Sequence, residues 1–353
     1  DALIERYLSD EGTYPTSVGL VVWGTAAMRT AGDDVSQALA LIGVRPLWDM
    51  QSGRVVGCEL IPRQELGRPR VDVTLRISGF FRDAFPHVIS YLADAFAVAA
   101  HSPEEDNPLS KDANSPRIFG PKPGSYGSGI LPLIEARNWR SNEDLAKVYL
   151  TWSGYSYTPQ SFGRYDPESM ARRFKGIQVA SKNQDNREHD IFDSDDYMQD
   201  HGGMIAAVRH LSGSEPKSYF GDSADPARPK VKSLAEEAAK VVRSRVINPK
   251  WIEAMKRHGY KGAFEMAATV DYLFGYDATA NIVEDWMYER VTQAYVADAS
   301  VRKFFEQSNP TALTSIAERL LEASQRGLWN ATVESLDAIR SAMLEAEGWE
   351  EIR

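Results

Sequence analysis

Hydrophobic residues in the first hundred positions alternate between strand-like runs and helical spacing. An apolar run at 18–23 ends in Gly24-Thr25, and apolar positions between 35 and 42 then share one helical face. The other elements predicted here are β-rich runs at 45–48, 54–61 and 71–77, and a helix at 83–99. This order predicts an α/β fold with a doubly wound, mostly parallel sheet.

Glycine follows two of the predicted strands, in Gly24-Thr25 and Ser78-Gly79. Open α/β sheets bind ligands at such strand ends. Glycine is also the usual residue of a tight turn, with no ligand involved. The sequence leaves both interpretations open.

The middle of the chain is less regular, and the last third is helical. A loop rich in glycine at 119–129 precedes a predicted helix at 131–152, and a short β-prone run lies at 177–180. The loop lacks the Lys-Ser or Lys-Thr pair of a phosphate loop, which argues against nucleotide binding. We predict an α/β domain at 1–115, a mixed segment with the glycine-rich and acidic loops at 116–230, and a mainly helical lobe at 231–353.

Composition narrows the class of protein. The 353 residues carry a net charge of −10, six histidines and a single cysteine, Cys58. These values exclude a disulfide framework and a cysteine-based metal site, and they argue against a nucleic-acid partner. No run reaches the roughly 18 apolar residues of a membrane span. We expect a cytoplasmic protein. We also expect a chain cut from a longer one, because it begins at Asp1 with neither a start methionine nor a signal peptide.

The strongest chemical signal is an acidic stretch at 186–203 that also holds two histidines. Mixed carboxylate and imidazole donors suit a divalent transition metal such as cobalt, and crowded carboxylates raise one another's pKa. The spacing is not that of an EF-hand, since Met198 occupies the position of its required glycine. A solvated acidic turn that caps a helix remains an alternative. The carboxylates and histidines of the stretch are Glu188, His189, Asp190, Asp193, Asp195, Asp196, Asp200 and His201.

A basic constellation lies further along, around Trp251. It could bind an anionic ligand rich in carboxylates, but glutamates at helical spacing make solvated ion pairs the stronger explanation. Its members are Lys240, Arg243, Arg245, Lys250, Lys256 and Arg257.

Successive blocks of the chain resemble the large subunits of cobaltochelatases and magnesium chelatases, and EHDIFDSDDYMQDHGGM is more similar to the cobalt branch. The blocks span nearly the whole chain. They are IGVRPLWD at 42–49, ELIPRQELGRPRVDV at 59–73, SGFFRDAFP at 78–86, FGPKPGSYGSGILPLIEARNW at 119–139, FDSDDY at 192–197, NPKWIEAMKRHGYKG at 248–262 and RGLW at 326–329.

The resemblance implies the C-terminal part of a subunit that inserts Co2+ into a tetrapyrrole, hydrogenobyrinic acid a,c-diamide, during cobalamin synthesis. ATP would be bound and hydrolysed by separate AAA+ partner subunits, not by this chain. Insertion into protoporphyrin by a magnesium chelatase, or a non-catalytic docking module for the AAA+ partners, are the alternatives.

The resemblance also suggests residue roles. His189, Asp193 and Asp195 are the expected metal ligands, and with Glu188 they form the expected catalytic group, because two ring protons must leave as the metal enters. Arg243, Lys250 and Trp251 are the expected substrate-binding residues.

Overall fold

A computed structural model describes residues 1–352, which form two compact units. The sheet unit comprises Asp1–Arg187 and Gln199–Ser233, and the helical unit comprises Glu188–Met198 and the chain from Leu234 onward. The predicted α/β fold with a mostly parallel sheet and a helical C-terminal part is confirmed.

The sheet unit contains ten strands. They are β1 Ser17–Val22, β2 Val44–Asp49, β3 Arg54–Leu60, β4 Asp72–Ile77, β5 Ile118–Gly120, β6 Tyr155–Thr158, β7 Ser161–Tyr165, β8 Val179–Gln184, β9 Lys217–Asp222 and β10 Lys230–Ser233. Eight of them form one sheet in the order β10-β9-β8-β1-β4-β5-β6-β7. The five strands from β9 to β5 run parallel to one another, and β10, β6 and β7 pair antiparallel at the two edges.

Helices cover this sheet. They are α1 Ala2–Glu11, α2 Gly24–Thr30, α3 Asp33–Ile42, α4 Arg63–Leu66, α5 Gly79–Ala84, α6 Pro86–Ala100, α7 Ile130–Glu135, α8 Asn142–Ser153, α9 Pro167–Lys175 and α10 Gly203–Ser212, with a 3-10 helix at Pro108–Asp112 and a π-helical turn at Met198–Gly202. Strand β4 is buried along its whole length, as expected for a parallel strand that is covered on both faces.

Three predicted elements differ from those observed. The runs at 45–48 and 54–61 pair with each other as an antiparallel hairpin outside the main sheet, β2 with β3. The helix predicted at 131–152 is interrupted between α7 and α8, where Ser141 begins the second helix with a capping box. Local capping therefore overrides an apolar spacing that is continuous in the sequence.

The predicted glycine corners are sites of close packing. A β carbon on Gly24 would lie 2.7 Å from the backbone nitrogen of Phe81, so no other residue fits where α2 begins beside α5. The Ser78 hydroxyl accepts hydrogen bonds from the Phe81 and Gly24 backbone N–H groups, at 3.1 and 3.3 Å. Turn geometry and capping account for both corners.

Between residues 234 and 352 the helical unit contains seven α-helices. They are α11 Leu234–Val241, α12 Pro249–Arg257, α13 Gly259–Ala280, α14 Asp285–Val291, α15 Ala299–Ser308, α16 Pro310–Gln325 and α17 Val333–Ile352, with π-helical segments at Val242–Val246 and Thr292–Ala297. Among the residues that the structure describes, none of the helices has both the length and the apolar character of a membrane span.

A buried carboxylate lies near the end of α13. Asp277 accepts hydrogen bonds from the Val283 backbone N–H at 2.9 Å and from the Tyr288 hydroxyl at 3.0 Å. Burial raises the pKa of Asp277 to about 6. The folded protein therefore holds this proton more tightly than the unfolded chain does.

We predict that this carboxyl makes stability depend on pH. Its contribution is fully present below the ordinary aspartate pKa and is lost as pH rises through about 6, a change of about 3 kcal/mol for a shift of this size. Urea unfolding from pH 4 to pH 8 should show this loss, and Asp277→Asn should remove that part of the pH dependence. The exposed Asp337→Asn is the control, and an Asp277→Asn profile parallel to it and to the unmodified protein would contradict the assignment.

Candidate functional site

The acidic stretch at 186–203 is divided between the two units. Asn186 and Arg187 follow β8 in the sheet unit, Glu188–Met198 belongs to the helical unit, and the chain returns to the sheet unit at Gln199. Its charged side chains therefore have two separate environments, which we describe in turn.

In the helical unit, one guanidinium binds two carboxylates of the stretch. Arg245 Nε and Nη2 donate to the two oxygens of Asp190 at 2.6 and 2.8 Å, and Nη2 lies 3.2 Å from Asp193 Oδ1. The indole of Trp251 lies against the same guanidinium, which is 5.2 Å from the ring centroid. We call Asp190, Asp193, Arg245 and Trp251 the acidic cluster.

The backbone of the loop holds these carboxylates close together. Asp193 Oδ2 accepts from the Asp190 N–H at 2.8 Å, and Asp190 Oδ1 accepts from the Phe192 N–H at 2.9 Å. Ile191 and Phe192 are fully buried between the two aspartates. The apolar pair thus anchors a turn whose acidic side chains stay near the surface.

Burial and repulsion alter the proton affinity of the cluster. Burial, followed by the Asp190 charge, raises the pKa of Asp193, while the Arg245 guanidinium and His189 lower it in part. The Asp193 side chain is still 27% exposed. The arrangement provides a carboxylate that binds a proton more readily than a solvated aspartate and remains accessible.

The other predicted metal ligands and catalytic residues lie around this cluster. Glu188 and His189 are exposed, and the half-buried Asp195 lies near Tyr272, whose pKa is raised by burial and then by the Asp195 charge. Within residues 1–352, no three His, Cys, Asp or Glu side chains are grouped closely enough to hold a metal ion. Asp193 is therefore brought together with Asp190 and Arg245, and a complete set of protein ligands is not assembled around it.

The predicted substrate-binding residues have different surroundings. Trp251 joins the acidic cluster through Arg245. Arg243 is exposed and lies over the ring of Trp286 at 5.6 Å, while Lys250 is exposed at the start of α12. Arg245, which the sequence placed among six undistinguished cations, is the one that reaches the acidic stretch.

In the sheet unit, the end of the stretch enters a buried polar network. Asp200 Oδ1 lies 2.6 Å from Arg76 Nη1, and Asp200 Oδ2 accepts from Trp23 Nε1 at 2.6 Å. The Tyr149 hydroxyl donates to the Asp200 carbonyl at 3.2 Å. Arg76 and Asp200 have side-chain exposures of only 1% and 8%, so each neutralises a charge that water cannot reach.

Lys182, in the second half of β8, also belongs to this network. Its ammonium lies 4.2 Å from the centroid of the Trp23 ring, and the side chain is fully buried. Burial lowers the pKa of Lys182, and carboxylates including Asp34 and Asp200 oppose that effect. His201 is buried as well, with Nε2 3.2 Å from the Ala180 carbonyl and a pKa lowered to about 4. His201 is thus a neutral interior side chain.

These buried groups lie where the strand order reverses. The chain passes from β1 to β4 and β5 on one side and later adds β8 and β9 on the other. Trp23, which follows β1, and Lys182, within the neighbouring β8, therefore lie beside a topological switch point. Such positions are the usual ligand crevices of open α/β sheets. Sequence reasoning missed them because Trp23, Arg76 and Lys182 each stand alone within an otherwise ordinary strand pattern.

Comparison with known proteins identifies relatives along the whole chain. A family model described as CobN/Magnesium Chelatase matches residues 1–336. The aerobic cobaltochelatase subunit CobN of Pseudomonas aeruginosa is 48% identical over 98% of this chain and 29% of its own length. The H-type magnesium-chelatase subunit of Cereibacter sphaeroides is 33% identical over 98% of this chain and 30% of its own.

A solved structure agrees with these matches. The catalytic subunit of cobaltochelatase from Mycobacterium tuberculosis has a TM-score of 0.96 and 54% identity, over 99% of this chain and 31% of that one. The chain thus spans about three tenths of the length of these relatives.

We predict that Arg76→Met destabilises the protein strongly, because it leaves the Asp200 carboxylate buried without its guanidinium. Breaking a buried ion pair in this way costs about 3–5 kcal/mol. Urea unfolding should show this loss, and adding Asp200→Asn to Arg76→Met should recover part of it. Arg228→Met, at an arginine 83% exposed, is the matched control, and an equal effect of the two single changes would contradict the role of the pair.

Proposed function

Since the chain belongs to the CobN/Magnesium Chelatase family, we propose that it acts within the large subunit of a cobaltochelatase, which inserts Co2+ into hydrogenobyrinic acid a,c-diamide. This chain is 48% identical to the cobalt-chelating relative and 33% identical to the magnesium-chelating one. The higher identity favours cobalt as the metal. The observation that supports a chemical role most strongly is the pair of carboxylates, Asp190 and Asp193, held by Arg245.

Metal insertion requires two events at the ring. Two pyrrole N–H protons must leave, and Co2+ must exchange its water ligands for ring nitrogens. In the proposed mechanism Asp193 accepts a ring proton, since its raised pKa makes it a stronger base than a solvated aspartate. Its partial exposure leaves an oxygen within reach of a substrate.

The same cluster is suited to receive the metal. Arg245 balances the charges of Asp190 and Asp193, and a divalent cation can take over that balance. His189, Asp193 and Asp195 are the proposed metal ligands, and Glu188 stands beside them as a further proton acceptor. All four lie on an exposed or half-exposed loop, which suits transient binding of a metal that is passed on to the ring.

Substrate binding and energy supply complete the proposal. Arg243 and Lys250 are exposed cations that can bind peripheral carboxylates of the tetrapyrrole, and Trp251 offers an aromatic face beside Arg245. We assign ATP hydrolysis to AAA+ partner subunits in the cytoplasm, because the glycine-rich loop at 119–129 has no phosphate-loop signature.

We predict that Asp193→Asn slows cobalt insertion about 100-fold or more, the usual loss when a general base is removed. The measurement is the rate of the absorbance change in the large subunit assembled with its AAA+ partners, with ring binding followed separately. Asp196→Asn, at an exposed carboxylate of the same loop, is the control and should stay within about twofold of the unmodified rate. Equal rates for Asp193→Asn and the control would refute the role of Asp193.

We also predict which metal and which tetrapyrrole the subunit uses. The assembled subunit should insert Co2+ into hydrogenobyrinic acid a,c-diamide and leave protoporphyrin IX unchanged with Mg2+, when each is assayed with the matching AAA+ subunits. Turnover of the magnesium pair alone would assign the chain to the other branch. Binding of AAA+ partners without any response to Co2+ or tetrapyrrole would instead identify a docking module.

A further inference from the structure

An apolar groove lies in the sheet unit and is lined by residues that take no part in its buried polar network. It has a volume of about 930 Å³ and is enclosed by α2, α3, α5, α6 and the β2–β3 hairpin. This size is at the upper end of the roughly 300–1,000 Å³ of small-molecule sites. The groove is therefore large enough for an extended ring system.

Flat and polarisable side chains line the groove. Its lining includes Trp48 of the hairpin, Met28 of α2, Phe81 of α5, Tyr91 of α6 and Phe85, which lies between α5 and α6. Trp48 and Met28 are 56% and 63% exposed, which is unusual for residues of their size. Aromatic faces with an adaptable thioether favour a planar apolar ligand.

Two nitrogen-bearing side chains give the groove a charge preference. Arg54 and His87 both line it, and both are exposed. Among residues 1–352 the Arg54 guanidinium makes no hydrogen bond or ion pair, and the His87 ring lies 6.4 Å from the ring of Phe85. In a chain with a net charge of −10, an unpaired cation beside an apolar groove points to a carboxylate as its partner.

We infer that this groove binds a planar, apolar ring that carries a peripheral carboxylate, with the ring against Trp48 and the carboxylate on Arg54. The choice of a tetrapyrrole as that ring rests on the proposed function. The groove is a docking site additional to the acidic cluster, and it involves none of the residues to which the insertion chemistry is assigned.

The test uses two probes that share one ring. Deuteroporphyrin IX carries two propionates and its dimethyl ester carries none, so their difference isolates the carboxylate. Binding to the purified protein is followed by the Soret band and by quenching of tryptophan fluorescence. Arg54→Gln should weaken the diacid about tenfold and leave the ester within about twofold, as expected for the loss of one charge-assisted contact.

A carboxylate placed in the groove should exclude the ring itself. Trp48→Glu and Met28→Glu, both at exposed positions where the fold tolerates a charge, should each weaken both probes at least about tenfold. Arg228→Gln and Leu344→Glu are the matched exposed controls and should change neither affinity. Circular dichroism confirms that each variant is folded.

The possible results separate this inference from the proposed function. Unchanged diacid binding in both Trp48→Glu and Met28→Glu would overturn the groove as the site, and equal affinity for the two probes would overturn the role of Arg54. Normal cobalt insertion together with such a result would leave the proposed function standing. Groove binding as predicted, without any effect of Asp193→Asn on insertion, would instead support this site and refute the assigned chemistry.

Discussion

The buried ion pair between Arg76 and Asp200 is the interaction on which the polar interior of the sheet unit depends. Strand β4 is covered on both faces, and a lone charge there would cost several kcal/mol. Asp200 supplies that charge balance and also binds Trp23, whose ring covers the ammonium of Lys182. The pair thereby fixes the place where the acidic stretch re-enters the sheet unit.

In the helical unit, Arg245 likewise balances carboxylate charges, but its ion pairs are more exposed than the Arg76 pair. Its side chain is 15% exposed, and those of Asp190 and Asp193 are 22% and 27% exposed. Because of this difference in accessibility, we propose different roles for the two clusters. The Arg76 pair is closed to solvent and suits a structural role, whereas the Arg245 cluster can exchange a proton or a cation with a ligand.

Apolar patterning predicted the main strands because they are buried on both faces. The runs at 18–23 and 71–77 became β1 and β4 with shifts of only one residue. The run at 177–180 was predicted too short, because β8 continues through Ser181, Lys182 and Asn183, polar residues that the hydrophobic pattern does not include. Their burial depends on partners from distant parts of the chain, such as Asp34 for Asn183.

The candidate site was predictable in composition but not in geometry. Charge and histidine content identified the stretch at 186–203, and the family resemblance gave it a role. Nothing in the sequence distinguished Arg245 from its basic neighbours, since its carboxylate partner Asp190 lies 55 positions away. The division of the stretch between two units was also invisible, because burial of His201 and Asp200 follows from tertiary packing alone.

The pH dependence of cobalt insertion is the most direct test of Asp193 as the base, because a base must lose its proton before it can accept one from the ring. The insertion rate should rise with pH as Asp193 ionises. Arg245→Gln should move that rise to higher pH, since the guanidinium lowers the pKa of Asp193. A rise at the same pH in the unmodified and Arg245→Gln subunits would contradict the assignment of Asp193 as the base.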